Sequence, residues 1–353
     1  MKTLAGNIAA SILLFASLQV SCKKDKVTDK SLLPVVITYE VINVKHTQAE
    51  CSAYCISVGS GPVTDFGICW NTTGSATIDD SCSSRGRALS PYSAKLSNLN
   101  INTTYYVRAF ATNRAGTAYG NERKFKTMPL PAVIAFNPDI IYGTISDIEG
   151  NIYKTVEIGS QTWMAENLRT SRYNDNTEIE MIADNSEWSL TGKPAFCWYD
   201  NNEQFYGKVY GAYYNFFAVY TSRLCPTGWH VPSDDEWKTL EIYLGVTPDA
   251  AGNEGYRGQG ISIKLKESGS GHWSKDFYPG TNESGFTALP GGSRSYFGGE
   301  FVDEMVSSGW WSSTAYYPIG GVGYSRSLSF EYPGIKRELI TLNQGLNVRC
   351  VKD

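Results

Sequence analysis

The chain has 353 residues, with 31 Lys and Arg against 35 Asp and Glu, a formal net charge of −4, and aromatic side chains at 13%. This mildly acidic balance offers no broad basic field, which argues against nucleic acid as a partner. The length is sufficient for two domains, each able to bury a core.

Lys2 is followed by an apolar run over 8–20, too short to span a bilayer and suited to the hydrophobic core of a signal peptide. Residues 1–21 are therefore expected to be a removable leader. Ser21 and Cys22 follow, then the polar run Lys23, Lys24, Asp25 and Lys26. A small residue before a cysteine resembles a bacterial lipoprotein signal, with Gln19 where a leucine is usual and Leu18 one position earlier. The resemblance implies acylation of Cys22, whose two or three chains hold a protein to a membrane where a single chain does not. Lys23 to Asp25 resembles the signals that send Bacteroidetes lipoproteins to the outer face, so the expected location is the outer membrane at the cell surface. No later apolar run approaches membrane-spanning length. Residues 22–34 lack helical or strand periodicity and are expected to be a flexible, lipidated tether.

From 35 to 128 the pattern becomes one of short alternating strands, expected at 35–44, 49–58, 64–70 and 104–113, with Gly59, Gly61, Pro62 and Gly74 marking turns. Leu96, Leu99, Tyr105, Tyr106 and Val107, then Asn113, Gly116, Tyr119 and Phe125, resemble the leucine, turn and tyrosine-rich strand of a fibronectin type III domain. That resemblance implies an all-β sandwich and says nothing of activity. Cys51, Cys55, Cys69 and Cys82 fall inside it and leave three connectivities open.

Pro129, Pro131 and Pro138 punctuate 129–146, which reads as a stiff linker. The second module, 147–353, holds eight of the nine tryptophans, with only Trp70 before it. Ser233 and Glu236 have capping-box spacing, Pro232 can pack against Trp237, Leu240, Glu241 and Leu244 share the face of Trp237, and Gly245 can end this helix. Tyr213, Phe216, Phe217 and Tyr220 have the spacing of a second helix. Strands are expected at 324–330, 339–342 and 347–351, so the module is read as α+β, helices early and strands late.

Several blocks occur in order through this module. They are Trp163 to Leu168 behind Ile158, Cys197 to Asn201, Tyr210 to Asn215, Cys225 to Trp237, Gly285 to Gly292, Trp311 to Thr314, and Val348 to Val351. They resemble the Fibrobacter succinogenes major paralogous domain. The resemblance implies secretion, no established activity, and kinship with the C-type lectin-like fold shared with formylglycine-generating enzymes. It also implies a disulfide between Cys225 and Cys350, since a cysteine near the first helix of lectin-like folds bridges to one in the last strand. Cys197 is expected to be a buried free thiol.

The chemistry such relatives use is thin here. Three histidines, His46, His230 and His272, without zinc-ligand spacing argue against a histidine metal site, and His230 is expected to be structural. Asp200, Asn202 and Glu203 offer hard oxygens that could take calcium, although the run lacks the EF-hand pattern and the lectin calcium tripeptides are missing. Formylglycine generation requires redox cysteines, and none lies between Cys225 and Cys350. Asp234, Asp235 and Glu236 fall in a helix's first turn, where capping and the macrodipole explain acids without catalysis. Trp163, Trp229, Trp237, Trp310 and Trp311 are expected in the core. Trp273, Tyr296, Tyr316 and Tyr317, among glycines and polar residues, are the candidates for an exposed ligand surface. The expected function is a non-catalytic, cofactor-free binding or adhesion protein of the cell envelope, anchored by lipid and engaging glycan or surface protein. A polysaccharide-acting enzyme or a purely structural component are the alternatives.

Overall fold

Alternation of buried and exposed side chains along short strands builds the first half of the chain. The computed structural model describes residues 32–84, 91–129, 133–269, 271–273, 277–316 and 321–353. The expected leader, Cys22 and most of the expected tether lie outside these residues, as does Tyr317. The chain divides into two units, Met1–Pro129 and Leu130–Asp353.

In the first unit, β1 (Val35–Ile42), β2 (Ala49–Ser57), β3 (Asp65–Asn71), β4 (Ser81–Ser84), β5 (Tyr92–Leu96), β6 (Thr104–Asn113), β7 (Gly116–Tyr119) and β8 (Arg123–Lys126) are all antiparallel. One sheet runs β1-β2-β5 and the other β4-β3-β6-β7, with β8 also on β6. This is a fibronectin type III-like sandwich. Ala49, Cys51, Ala53 and Cys55 alternate inward on β2, and meet Phe66, Ile68, Val107 and Ala109 of the facing sheet. Tyr105 locks the corner before β6, its hydroxyl accepting a bond from the Asn100 amide at 2.8 Å. The longer strands match the alternation legible in the sequence. The four short strands β4, β5, β7 and β8 carry too few residues to declare a period.

The second unit opens with strands: β9 (Gly143–Ser146), β10 (Ile152–Ile158), β11 (Gln161–Met164) and β12 (Glu180–Met181). Helices and short strands then alternate through α1 (Asn185–Leu190), β13 (Ala195–Cys197), α2 (Glu203–Tyr210), β14 (Tyr213–Tyr214), α3 (Phe216–Tyr220), β15 (Trp229–His230) and α4 (Asp234–Leu244). After α5 (Pro248–Ala251), β16 (Gly255–Arg257) and α6 (Ile261–Leu265), the described residues form strands only. These are β17 (Ser293–Arg294), β18 (Phe301–Val302), β19 (Ser307–Tyr316), β20 (Val322–Ser329), β21 (Ile335–Thr341) and β22 (Val351–Lys352). One five-stranded sheet runs β15-β22-β11-β10-β9, and a four-stranded sheet runs β16-β21-β20-β19. Helices early and strands late is thus true only after α1, because four paired strands precede it.

Two further expectations are corrected. The stretch 129–146 is no free linker in its described part. The Ala135 amide donates to Glu267 Oε1 at 2.5 Å, Asn137 Nδ2 donates to Asn282 O at 3.0 Å, and β9 pairs with β10. Phe136, Ile140 and Tyr142 pack against the tryptophan cluster, so apolar burial overrides the prolines' resistance to regular structure. The helix expected from Tyr213 starts only at Phe216. Asn215 caps it by accepting the Ala218 amide, while Tyr213 and Tyr214 are paired to β13 and buried on both sides.

The core is aromatic. Trp163, Trp237, Phe286 and Trp310 form one cluster, with ring centres 4.9 Å apart for Trp163 and Trp237 and 5.6 Å for Phe286 and Trp310. Trp311 packs edge-on to Phe216 in another. Trp229 is half-buried against that second cluster. Cys225 and Cys350 are joined by a disulfide across 125 residues.

Candidate functional site

Strand alternation gives the sheet β16-β21-β20-β19 two faces of different chemistry. Tyr324, Arg326 and Leu328 of β20 point one way and Ser325, Ser327 and Ser329 the other, as period two requires. Arg326 lies opposite Arg337 and Trp310, which share its face.

That first face is a buried charge network beneath α4. Arg326 donates to Glu241 Oε1 at 2.5 Å and to Asp234 Oδ1 at 2.8 Å. Arg337 grips both Asp234 oxygens at 2.8 and 2.9 Å, and Arg257 grips both Glu241 oxygens at 2.8 Å. Burial by itself would raise the Asp234 carboxyl. The bonds from Arg337 and Lys238 and the charge of Arg326 overcome it and hold the group well below the usual carboxylate range. Asp234 is therefore a locked anion, unable to give up a proton at neutral pH. Asp235 is exposed and bonded to Lys238. Glu236 completes the capping box with Ser233 and also meets His230 Nε2 at 2.8 Å. The three first-turn acids are accounted for by capping and ion pairing.

The opposite face carries a groove of ≈ 380 Å³. Ser327 and Ser329 of β20 and Lys336 and Glu338 of β21 line it, with Ser293 and Gln344 also on its wall. Glu338 is oriented by Lys336 Nζ at 2.5 Å and by the Ser327 hydroxyl at 3.4 Å. Gln344 is fixed from both ends, Nε2 donating to Ser293 Oγ and Oε1 accepting the Tyr296 amide, each at 3.1 Å. Gly309 leaves β19 without a side chain on this face. A Cβ there would come within 2.9 Å of Leu346, so glycine both opens the groove and admits Leu346.

Two tyrosines border the groove. Tyr256 of β16 pairs with Lys336 across the sheet, and Tyr332 comes from the β20–β21 connection. Their rings stack with centres 4.2 Å apart and planes 20° from parallel, yet they stay 40% and 46% exposed. Burial raises the Tyr256 phenol, against a bond from Ser329, so it remains an O–H donor at neutral pH.

The structure distributes the residues singled out in the sequence. Trp273 is no exposed platform: it is 2% exposed, its indole N–H donates to Ala288 O at 3.1 Å, and the Lys266 ammonium lies 4.5 Å from its ring centre. The glycines around it mark turns rather than exposure. Tyr316 packs edge-on to Tyr324, away from the serine row. Tyr296 is half-exposed and touches the groove's Gln344 through its backbone. Asp200 is a left-handed turn residue, and Asn202 spends its side-chain oxygen capping α2, whose first residue is Glu203. Among the described residues no cluster of metal-ligating side chains occurs. Cys197 is fully buried, and burial pushes its thiol up to about 12.

Sequence reasoning missed Tyr256, Tyr332, Lys336, Glu338 and Gln344. The one local signal was a tyrosine beside turn formers, Tyr256 after Gly255 and Tyr332 before Pro333 and Gly334.

Together these observations define a fibronectin type III-like sandwich joined to a mixed helix-and-strand domain that presents a polar, aromatic-bordered groove. Residues 156–352, more than half the chain, match the Fibrobacter succinogenes major domain, and the chain belongs to that family. No curated protein matches it. Among solved structures, the sensor domain of the anti-sigma factor RsgI4 of Pseudobacteroides cellulosolvens is 17% identical. That match covers 28% of this chain and 96% of that one, with a TM-score of 0.24. A fibronectin type III domain derived from the human KIAA0970 protein is 15% identical over 33% of this chain and 89% of its own, TM-score 0.22. The chicken CNTN1 FN1–FN3 domains are 21% identical over 27% of this chain and 32% of theirs, TM-score 0.22.

Proposed function

We propose that the second unit is a non-catalytic carbohydrate-binding domain whose site is the groove over β20 and β21, carried by a lipid-anchored protein of the bacterial cell surface. Cys22 carries the lipid, 22–34 forms the tether, and the sandwich is a spacer. No metal or cofactor takes part.

The observation that carries this reading is the exposed Tyr256–Tyr332 stack beside a groove lined with hydroxyls, an amide and carboxylates. An aromatic face accepts the C–H face of a sugar ring, while Glu338, Gln344 and Ser327 offer acceptors and donors to ring hydroxyls. The volume of ≈ 380 Å³ lies within the range of small-ligand pockets, about 300–1,000 Å³. The lectin-like kinship implied by the family resemblance agrees with it. The locked state of Asp234 removes that acid from the hydrolase alternative, which requires a carboxyl that can donate a proton.

The test is affinity. A soluble chain starting at residue 23 is screened against envelope, plant and host glycans, and the best binder is measured by calorimetry. Tyr256→Ala and Tyr332→Ala are each expected to weaken binding by about 1 kcal/mol, roughly fivefold, with unchanged melting temperature. Full affinity in the double variant, or no glycan bound at all, contradicts the proposal.

A further inference from the structure

We infer that Cys69 and Cys82 form a disulfide in the oxidised protein, a cross-strand link that fastens the edge of the sandwich. The two residues are direct register partners on β3 and β4. Opposed residues of an antiparallel pair have Cα atoms about 4.5–5.5 Å apart, inside the window of about 4.4–6.8 Å that a disulfide needs. Their sulfurs lie 2.6 Å from each other. Carbon atoms in van der Waals contact sit about 3.5–4.0 Å apart and sulfur is the larger atom, so the two side chains already point at one another well inside contact distance and no backbone movement is needed to join them. The chain also holds a second bridge, Cys225 to Cys350.

The remaining cysteines of the sandwich offer no competing partner. Cys51 and Cys55 share β2, four residues apart, and a strand rises about 3.3 Å per residue, too far for a bond between them. Their thiols donate instead to nearby carbonyls, Cys51 to those of Tyr39 and Ser52 and Cys55 to that of Ser57. Both belong to the main core, whereas Cys69 lies in a separate cluster with Ala76 and Phe110. Of the three connectivities the sequence allows, only the one containing Cys69 to Cys82 has a bond that can close.

The chemistry is a two-step exchange with a protein or small-molecule disulfide as oxidant. Cys82 is exposed and Cys69 is buried. The Cys82 thiolate, having lost its proton to water, attacks the oxidant's disulfide, forming a mixed disulfide and releasing one oxidant thiolate. The Cys69 thiolate then attacks the Cys82 sulfur and expels the second. Two electrons and two protons pass from the cysteine pair to the oxidant, which leaves as a dithiol or as two thiols. Burial raises both thiols, so spontaneous oxidation is slow and an added disulfide oxidant is required. The link matters because β4 is a four-residue edge strand over a cluster of three buried residues, where apolar burial alone holds little.

The experiment uses the chain from residue 23 onward, equilibrated with oxidised glutathione, denatured, alkylated without reduction and peptide-mapped by mass spectrometry. Five cysteines lie outside the Cys225–Cys350 bond. The proposal predicts a linked peptide pair containing Cys69 and Cys82, two hydrogens lighter than the thiols, and only Cys51, Cys55 and Cys197 unlinked. Finding Cys69 and Cys82 both alkylated, each capped by glutathione, or joined to other cysteines overturns it. In a second measurement, Cys69→Ala with Cys82→Ala is expected to lower the melting temperature of the non-reduced chain by several degrees.

Discussion

Arg326 has no exposed surface, and its guanidinium is met by two carboxylates while Arg257 and Arg337 neutralise the far sides of the same acids. Removing one member of such a network strands buried charge, which costs about 3–5 kcal/mol. Arg326→Met is therefore predicted to lower unfolding stability by that amount in denaturant titration. A loss under about 1 kcal/mol would show that the network is not stabilised as a unit. His230 makes stability depend on pH. Burial opposes its charge, but Asp353 at 2.6 Å and Glu236 at 2.8 Å raise its pKa above 6.5. A raised folded-state pKa stabilises fully below the unfolded value and is lost as pH rises through the folded one. The wild-type melting temperature should therefore fall, relative to His230→Asn, as pH rises above 6.5, while the variant's profile stays flatter. Parallel profiles contradict the clasp.

At the scale of elements, α4 is set by local chemistry. Ser233 and Glu236 make both bonds of the capping box, and Gly245 ends the helix in the left-handed conformation at φ 117°. Ser233→Ala is expected to cost about 1 kcal/mol, read by thermal or chemical unfolding, with no change indicating that the box is redundant. Such an element was legible because its signals lie within thirteen positions of one another. The groove was not, because Tyr256 and Tyr332 are brought together by β16 pairing with β21, a contact no local period encodes. Trp273 and the stretch 129–146 misled for a related reason. Glycine and proline report backbone conformation, and whether the neighbouring aromatics are buried depends on distant strands. Conversely, Phe136, Ile140 and Tyr142 between and after those prolines were an apolar signal that punctuation masked.

For the whole molecule, the order of strands, the family match over 156–352 and the Cys225–Cys350 bond describe two units built on different principles. The sandwich relies on alternating small and aliphatic residues around Phe66. The second unit relies on clustered tryptophans in tilted contact, a 125-residue covalent loop and an ion network placed directly under the groove's sheet. A rigid underside of this kind holds Ser327, Glu338 and the tyrosine pair in one arrangement before any ligand arrives, which lowers the ordering cost of binding. The most direct measurement is amide and side-chain chemical-shift mapping of the labelled chain during titration with the glycan that binds best. Perturbations are expected to concentrate on Tyr256, Ser327, Ser329, Tyr332, Glu338 and Gln344. Shifts confined to other surfaces, with these residues silent at saturation, would contradict it.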